Sequence, residues 1–406
     1  EGQWYLHTKI VDNAGNSYTT YNGTYDIDKT NPTISYDITS RDWGNTDASV
    51  NLTYSDSGGS GISTKQYKWS TSTTTPSSWN TFSSNPVTQN SEGQWYLHTR
   101  CVDNAGNVTT KYEGLYKIDK TNPSVSYSST SRSWDNSQVS VDLTYSDNAS
   151  GVASKKYAWT TSTTTPSTWT DFTGNPVTQS SNGEWYLHTK VIDYANNEYI
   201  TYHGTYKIDN LVPEISYSST SRTYGKTDVS VDLTYSDSGG STLNLTQYKW
   251  STSTTTPSSW NSWSGNPVTQ TNTGKWYLHT RATDDAGNEL VTYQGTYNID
   301  KTNPNLSNNN YSIDSPTGIY DTYTATVTWD CSDDDSGIAY TALGYYQDGT
   351  WYYENANLPD GVTCSVSDMS HITGSGSHII TFSNIPREVE ISFSWQVYDA
   401  VGNTTG

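Results

Sequence analysis

The stretch "VSVDLTY", Val139 to Tyr145, decides the fold class. Side chains of an extended chain alternate sides, so Val139, Val141, Leu143 and Tyr145 share one face and Ser140, Asp142 and Thr144 the other. That is the pattern of a half-buried strand. "KQYKW" (Lys65 to Trp69) and "GTYDI" (Gly23 to Ile27) alternate in the same way. In Trp95 to Asp103 the same reading sends Trp95, Leu97, Thr99 and Cys101 inward and Tyr96, His98 and Arg100 outward. No helical period is sustained anywhere, and clusters of Gly, Pro, Asn and Ser interrupt the chain about every 10 to 20 residues, as strand-to-strand turns do.

The strands recur. "WYLHT" opens at Trp4, Trp95, Trp185 and Trp276, in steps of 91, 90 and 91 residues. Pro32, Pro123, Pro213 and Pro304 keep that step, as does the "STTTP" segment ending at Pro76, Pro166 and Pro257. A period near 90 residues suits one small domain per repeat, and about seven strands in that length indicate an immunoglobulin-type sandwich. The expected fold is therefore all-β: tandem immunoglobulin-like antiparallel β-sandwiches forming an elongated rod. The expected divisions are 1–29 as the last strands of an incomplete domain, then 30–120, 121–210 and 211–301 as full repeats. Residues 302–406 read as a divergent member lacking its last strand, in which "TATVTWDCSD" (Thr324 to Asp333) sets Cys331 where the other copies carry Tyr.

Composition narrows the function. Of 406 residues 16 are Trp and 34 Tyr, against 4 Phe and 1 Met, which is too aromatic for a disordered chain. With 41 acidic and 21 basic residues the formal charge is −20, so nucleic acid and anionic membrane surfaces are repelled and a cation is the natural partner. No apolar run reaches the roughly 18 residues of a spanning helix, so no membrane insertion is expected. Nor is there a nucleophile elbow, an HExxH, a phosphate-binding loop or a CxxC pair, and an enzyme is not expected.

The repeated order of an "SDNASG"-type loop (Ser146 to Gly151 in one copy), a "GQWYLHTRCVDNAGN"-type segment (Gly93 to Asn107 in another) and "YKIDKTNP" (Tyr116 to Pro123), with strands between, resembles the bacterial immunoglobulin-like repeats of large secreted and cell-surface proteins, giant adhesins among them. The resemblance extends over essentially the whole chain. It implies an extracellular or cell-surface setting and a role as a stalk, adhesin or fibre segment that spaces or assembles by its tandem domains. It also implies Ca2+ at domain junctions.

The residues point to the same cation independently. "VDNAGN" stands at Val11 to Asn16 and Val102 to Asn107, and varies to "IDYANN", "TDDAGN" and "YDAVGN" at Ile192, Thr283 and Tyr398. As structure it is a hairpin turn, with Gly or Asn supplying a left-handed residue. In a sandwich of this topology the turn lies at the same end as the loop after the second strand and the linker entering from the preceding domain. Each of the three carries an Asp. The expected sets are Asp28, Asp56 and Asp103; Asp119, Asp147 and Asp193; Asp209, Asp237 and Asp284; and Asp300, Asp333 and Asp399. Three converging carboxylates repel unless a hard cation lies between them, and Ca2+ accepts six to eight oxygens.

Other features have plainer readings. His7, His98, His188 and His279 repeat at one outward position and read as structural or surface residues, with zinc binding or catalysis as the alternative. Trp69 and Trp95 read as core, whereas Trp79 and Trp169, after "STTTP", are candidates for stacking on cell-surface glycans. On that alternative the chain is a carbohydrate-binding module array of a secreted protein. Cys101 reads as a buried free thiol, and Cys331 and Cys364 either pair or stay free. The chain opens inside a repeat and so reads as an excerpt of a longer one, whose partners are its own neighbouring repeats. The alternative for its ends is head-to-tail self-assembly of copies into a filament.

Overall fold

A computed structural model describes residues 1–406 except 315–321, 354–356, 361, 367 and 388. It resolves into two compact units, Glu1–Ser133 with Gln138–Ile208, and Trp134–Ser137 with Asp209–Gly406. The described residues contain no α-helix, and no helix is long and apolar enough to cross a membrane.

The first unit opens with the hairpin Gly2–Val11 and Ser17–Ile27. One sheet of the repeat that follows runs in the order Arg41–Gly44, Val108–Ile118, Gly93–Asp103, Ile62–Ser70, Asn80–Thr81. All its pairings are antiparallel except that of Arg41–Gly44 with Val108–Ile118. Facing it are two short ladders, Thr33–Tyr36 with Leu52–Ser55 and Ala48–Val50 with Val87–Gln89. The arrangement returns in the next repeat, where the parallel edge strand is reduced to a single bridge between Arg132 and Tyr206, and in full in the second unit between Glu214 and Ile299. It is a tandem immunoglobulin-like sandwich.

"VSVDLTY" does not run as one strand. Val139–Val141 pairs with Val177–Gln179, whereas Leu143–Ser146 pairs with Ser124–Tyr127. The break is stabilised from outside, because the Asn175 side chain takes the place of a neighbouring strand. Its Oδ1 accepts the Leu143 amide at 2.8 Å and its Nδ2 donates to the Leu143 carbonyl at 3.0 Å. Asn85 and Asn266 do the same for Leu52 and Leu233. The two-residue alternation survives the break, so Val139, Val141 and Leu143 are all buried.

Each core joins the two layers. In residues 33–118 it gathers Val50, Leu52, Trp69, Val87, Leu97, Tyr116 and Ile118. Trp69 meets the Tyr116 ring edge-on at 5.1 Å, and the Tyr116 hydroxyl donates to the Ile38 carbonyl at 2.7 Å, so a buried polar group finds its partner. The structure thus places Trp69 in the packing, with Trp95 half-buried against the same core.

The outward reading of the histidines is corrected. His98 is 1% exposed, and its Nε2 lies 2.8 Å from the Ser72 carbonyl; His188 and His279 meet Ser162 and Ser253 in the same way. The "STTTP" loop folds back over the outer face of the strand and covers them. Alternation fixes which face a side chain takes but not what comes to lie on that face. Only His7, in the opening hairpin, is exposed among the four.

In the second unit, residues 305–405 form the sheets Asn305–Ile313, Thr322–Ser332, Gly376–Pro386, Thr363–Cys364 and Thr350–Tyr352, Ile338–Gln347, Ile391–Asp399, Thr404–Thr405. Their core centres on Trp329, Tyr345, Met369 and Phe382. Cys331 and Cys364 do not pair: Cys331 stands opposite Gly376 and Cys364 opposite Phe382 on the same strand. Six residues along a strand is about 20 Å, far beyond the roughly 7 Å a disulfide spans between Cα atoms. Cys101 is a buried free thiol, and burial raises its pKa.

Candidate metal centre

The "DNAGN" segment is first a turn. The Asp103 amide donates to the Asn107 carbonyl at 3.1 Å, and Gly106 adopts φ of 90°. Where Gly is missing, Asn196 takes φ of 68°, as Asn can at lower cost than other residues. The Asp103 carboxylate closes the turn, accepting the Asn107 amide at 2.8 Å on Oδ1 and Asn107 Nδ2 at 2.7 Å on Oδ2.

The final Asn of the motif does more than close the turn. Asn107 Nδ2 also donates to the Asp28 carbonyl at 3.2 Å, and Asn197, Asn288 and Asn403 reach Asp119, Asp209 and Asp300 at 2.9, 2.8 and 3.1 Å. One side chain therefore ties each turn to the linker that enters beside it. The sequence reading passed over this residue. The signal was present, since Asn stands at that place in all five copies while Gly does not.

The linker Asp is positioned by the strand of the preceding repeat. The Asp119 amide donates to the Gly44 carbonyl, Asp209 to Asp135 and Asp300 to Gly225, each at 3.1 Å. Its carboxylate then turns into the loop after the second strand, where Asp119 accepts the Ser150 amide at 2.9 Å. Asp209 accepts both the amide and the hydroxyl of Ser241, at 2.9 and 2.5 Å. At Gly239 this leaves no room for a side chain, because a Cβ there would lie 1.6 Å from Asp209 Oδ1.

All twelve carboxylates expected from the sequence meet in the expected threes. In each of the sets Asp28, Asp56, Asp103; Asp119, Asp147, Asp193; Asp209, Asp237, Asp284; and Asp300, Asp333, Asp399, one oxygen per residue lies within 4.8 Å of the others. Linker and turn Asp are buried in the last three sets, and the loop Asp is half-buried. At that spacing two unit charges repel by about 3 kcal/mol at an effective dielectric of about 20. Backbone amides offset part of this. Asp209 is held below the usual carboxylate range even though burial pushes it up, because the Ser241 hydroxyl and amide outweigh the burial. Asp237 goes the other way: burial raises its pKa, and Asp209 and Asp284 raise it further. Neither Asp237 oxygen receives a hydrogen bond of normal geometry, and Asp147 Oδ1 is likewise buried without a donor. Crowded anionic oxygens, some of them at Asp147 and Asp237 lacking hydrogen bonds of normal geometry, fit an oxygen-seeking divalent cation.

Trp134 lies against the loop of one site, where a side chain at Gly240 would come within 2.8 Å of its ring. Burial raises the pKa of Tyr224, and the charges of Asp335, Asp300 and Asp333 raise it further. Trp134 and Tyr224 each stand two residues after a repeated arginine, Arg132 and Arg222, a spacing that sequence reading could have used. The glycan-stacking candidates Trp79 and Trp169 are half-buried.

No protein-family model and no curated protein matches the chain. Among solved structures it is similar to the protocadherin GammaB4 extracellular domain at 14% identity, covering 99% of this chain and 70% of that one with a TM-score of 0.41. Sidekick-1 immunoglobulin domains 1–5 match at 10% identity over 100% and 93%, with a TM-score of 0.29. Fibronectin(III)-like modules of Clostridium thermocellum CbhA match at 11% over 43% and 94%, with a TM-score of 0.24.

Proposed function

We propose that the chain is a structural segment of an extracellular or cell-surface stalk, adhesin or fibre, in which immunoglobulin-like repeats act as spacers and Ca2+ ties each linker to the two loops beside it. The observation that carries this reading is the fourfold recurrence of one Asp from a linker and two from the following loops within 4.8 Å. A lone surface cluster would be ordinary. Four in equivalent places, each bringing a linker together with two loops, are a repeated device. Bound cation would join three segments that otherwise repel, removing freedom from the linker much as a crosslink does.

Small-angle scattering of the chain in calcium and in chelator tests the mechanical part. Calcium is expected to raise the radius of gyration or narrow the distribution of interatomic distances; superimposable profiles in the two buffers would contradict a stiffening role. A substitution tests the placement of the linker carboxylate. Gly239→Ala puts a methyl where Asp209 Oδ1 now lies, so it is expected to weaken calcium binding at that junction at least tenfold by calorimetric titration. Unaltered binding would mean that Asp209 is no ligand.

A further inference from the structure

The four loops that supply the middle carboxylate differ at one residue. In three of them the loop closes on a glycine in the left-handed region, Gly61, Gly151 and Gly337, at φ of 77°, 87° and 82°. That conformation turns the glycine amide onto the carboxylate: Gly61 donates to Asp56 at 2.8 Å, Gly151 to Asp147 at 2.6 Å and Gly337 to Asp333 at 2.7 Å. In the loop "SDSGGST" (Ser236 to Thr242) the equivalent residue is Thr242. A β-branched residue is a poor fit to positive φ, and Thr242 is not among the residues that adopt it. Its hydroxyl bonds Asp285 Oδ2 at 2.5 Å, while its carbonyl accepts the Asp285 amide at 2.8 Å just as the Gly61, Gly151 and Gly337 carbonyls accept the amides of Asn104, Tyr194 and Ala400. The bond that the other three loops make from this amide to their aspartate is not made here. Both oxygens of Asp237 are buried without a hydrogen bond of normal geometry, a condition that no other middle aspartate shares among the described residues.

Resting on the calcium reading above, we propose that the junctions are graded, with Asp209, Asp237 and Asp284 forming the site that fills first and empties last. At the other three a cation competes with, or merely adds to, an amide already on the middle carboxylate. At this one it meets two oxygens that receive no hydrogen bond of normal geometry, and it relieves the most repulsion. The threonine is thus an affinity determinant that never touches the ion, and one repeat in the array is committed to calcium at concentrations that leave its neighbours empty.

Calorimetric titration of the full, chelator-treated chain with CaCl2 tests this, alongside the variants Thr242→Gly and Asp237→Asn. Thr242→Gly restores the residue that the other three loops already carry, so it is expected to fold. The wild type should show one site at least tenfold tighter than the rest. Asp237→Asn should remove that class alone, and Thr242→Gly should merge it with the weaker class. Four equivalent sites in the wild type, or a tight class that Thr242→Gly leaves unmoved, would overturn the grading while leaving calcium binding intact. No binding at all would overturn both.

Discussion

Millimolar calcium is expected to raise the melting transitions of the chelator-treated chain by roughly 10–20 °C. A ligand held only by the native state stabilises it by about 2.7 kcal/mol at a hundredfold excess over Kd, and a domain of this size gains about 4–8 °C per kcal/mol. The same reading predicts a change of sign in one variant. Asp237→Asn removes a charge whose buried oxygens lack hydrogen bonds of normal geometry and face two acidic neighbours, so in chelator it should melt above the wild type. In calcium it should melt below it, having lost a ligand. Differential scanning calorimetry of both proteins in both buffers checks this; identical melting of the wild type with and without calcium would remove the cation from the account.

Leu97→Ala is expected to cost its repeat about 2–5 kcal/mol, whereas Leu6→Ala should change stability by no more than about 0.5 kcal/mol. Both leucines stand in "WYLHT", one residue after the tyrosine. Leu97 is 0% exposed, packed between the two layers with Trp69, Val87 and Tyr116; Leu6, on the opening hairpin, is 54% exposed. The first substitution opens a cavity, and the second removes a side chain that water already reaches. Calorimetry resolves the outcome as one transition of the array moving down by roughly 10–40 °C while the others stay. Equal effects from the two substitutions would mean that the sandwich layers do not enclose Leu97 as described.

Much of this was legible in the sequence, for identifiable reasons. A period of two residues reports a strand directly, and a 91-residue step reports the repeat, so the all-β tandem fold could be read from Val139 to Tyr145 and the "WYLHT" series alone. The aspartate triads were legible because the topology of the sandwich fixes which loops share an end. What escaped were features made by segments far apart in sequence. Alternation could not show that Ser72 would fold back onto His98, nor that Asn85 would reach Leu52 and divide a strand. The separation of Cys331 from Cys364 depends on register against the strand Gly376–Pro386, which spacing within the chain does not encode. The different state of Asp237 was written in the sequence as a single Gly-to-Thr exchange, visible only once the glycine amide was seen to have a task.

The most direct measurement is the calcium content of the chain after equilibrium dialysis, determined by mass spectrometry for the wild type and for Asp56→Asn, Asp147→Asn, Asp237→Asn and Asp333→Asn. The triads predict four ions per wild-type chain at saturation and one fewer in each variant at a concentration where the weakened site stays empty. A wild-type content indistinguishable from buffer would contradict the central claim and leave the aspartates as turn and linker caps.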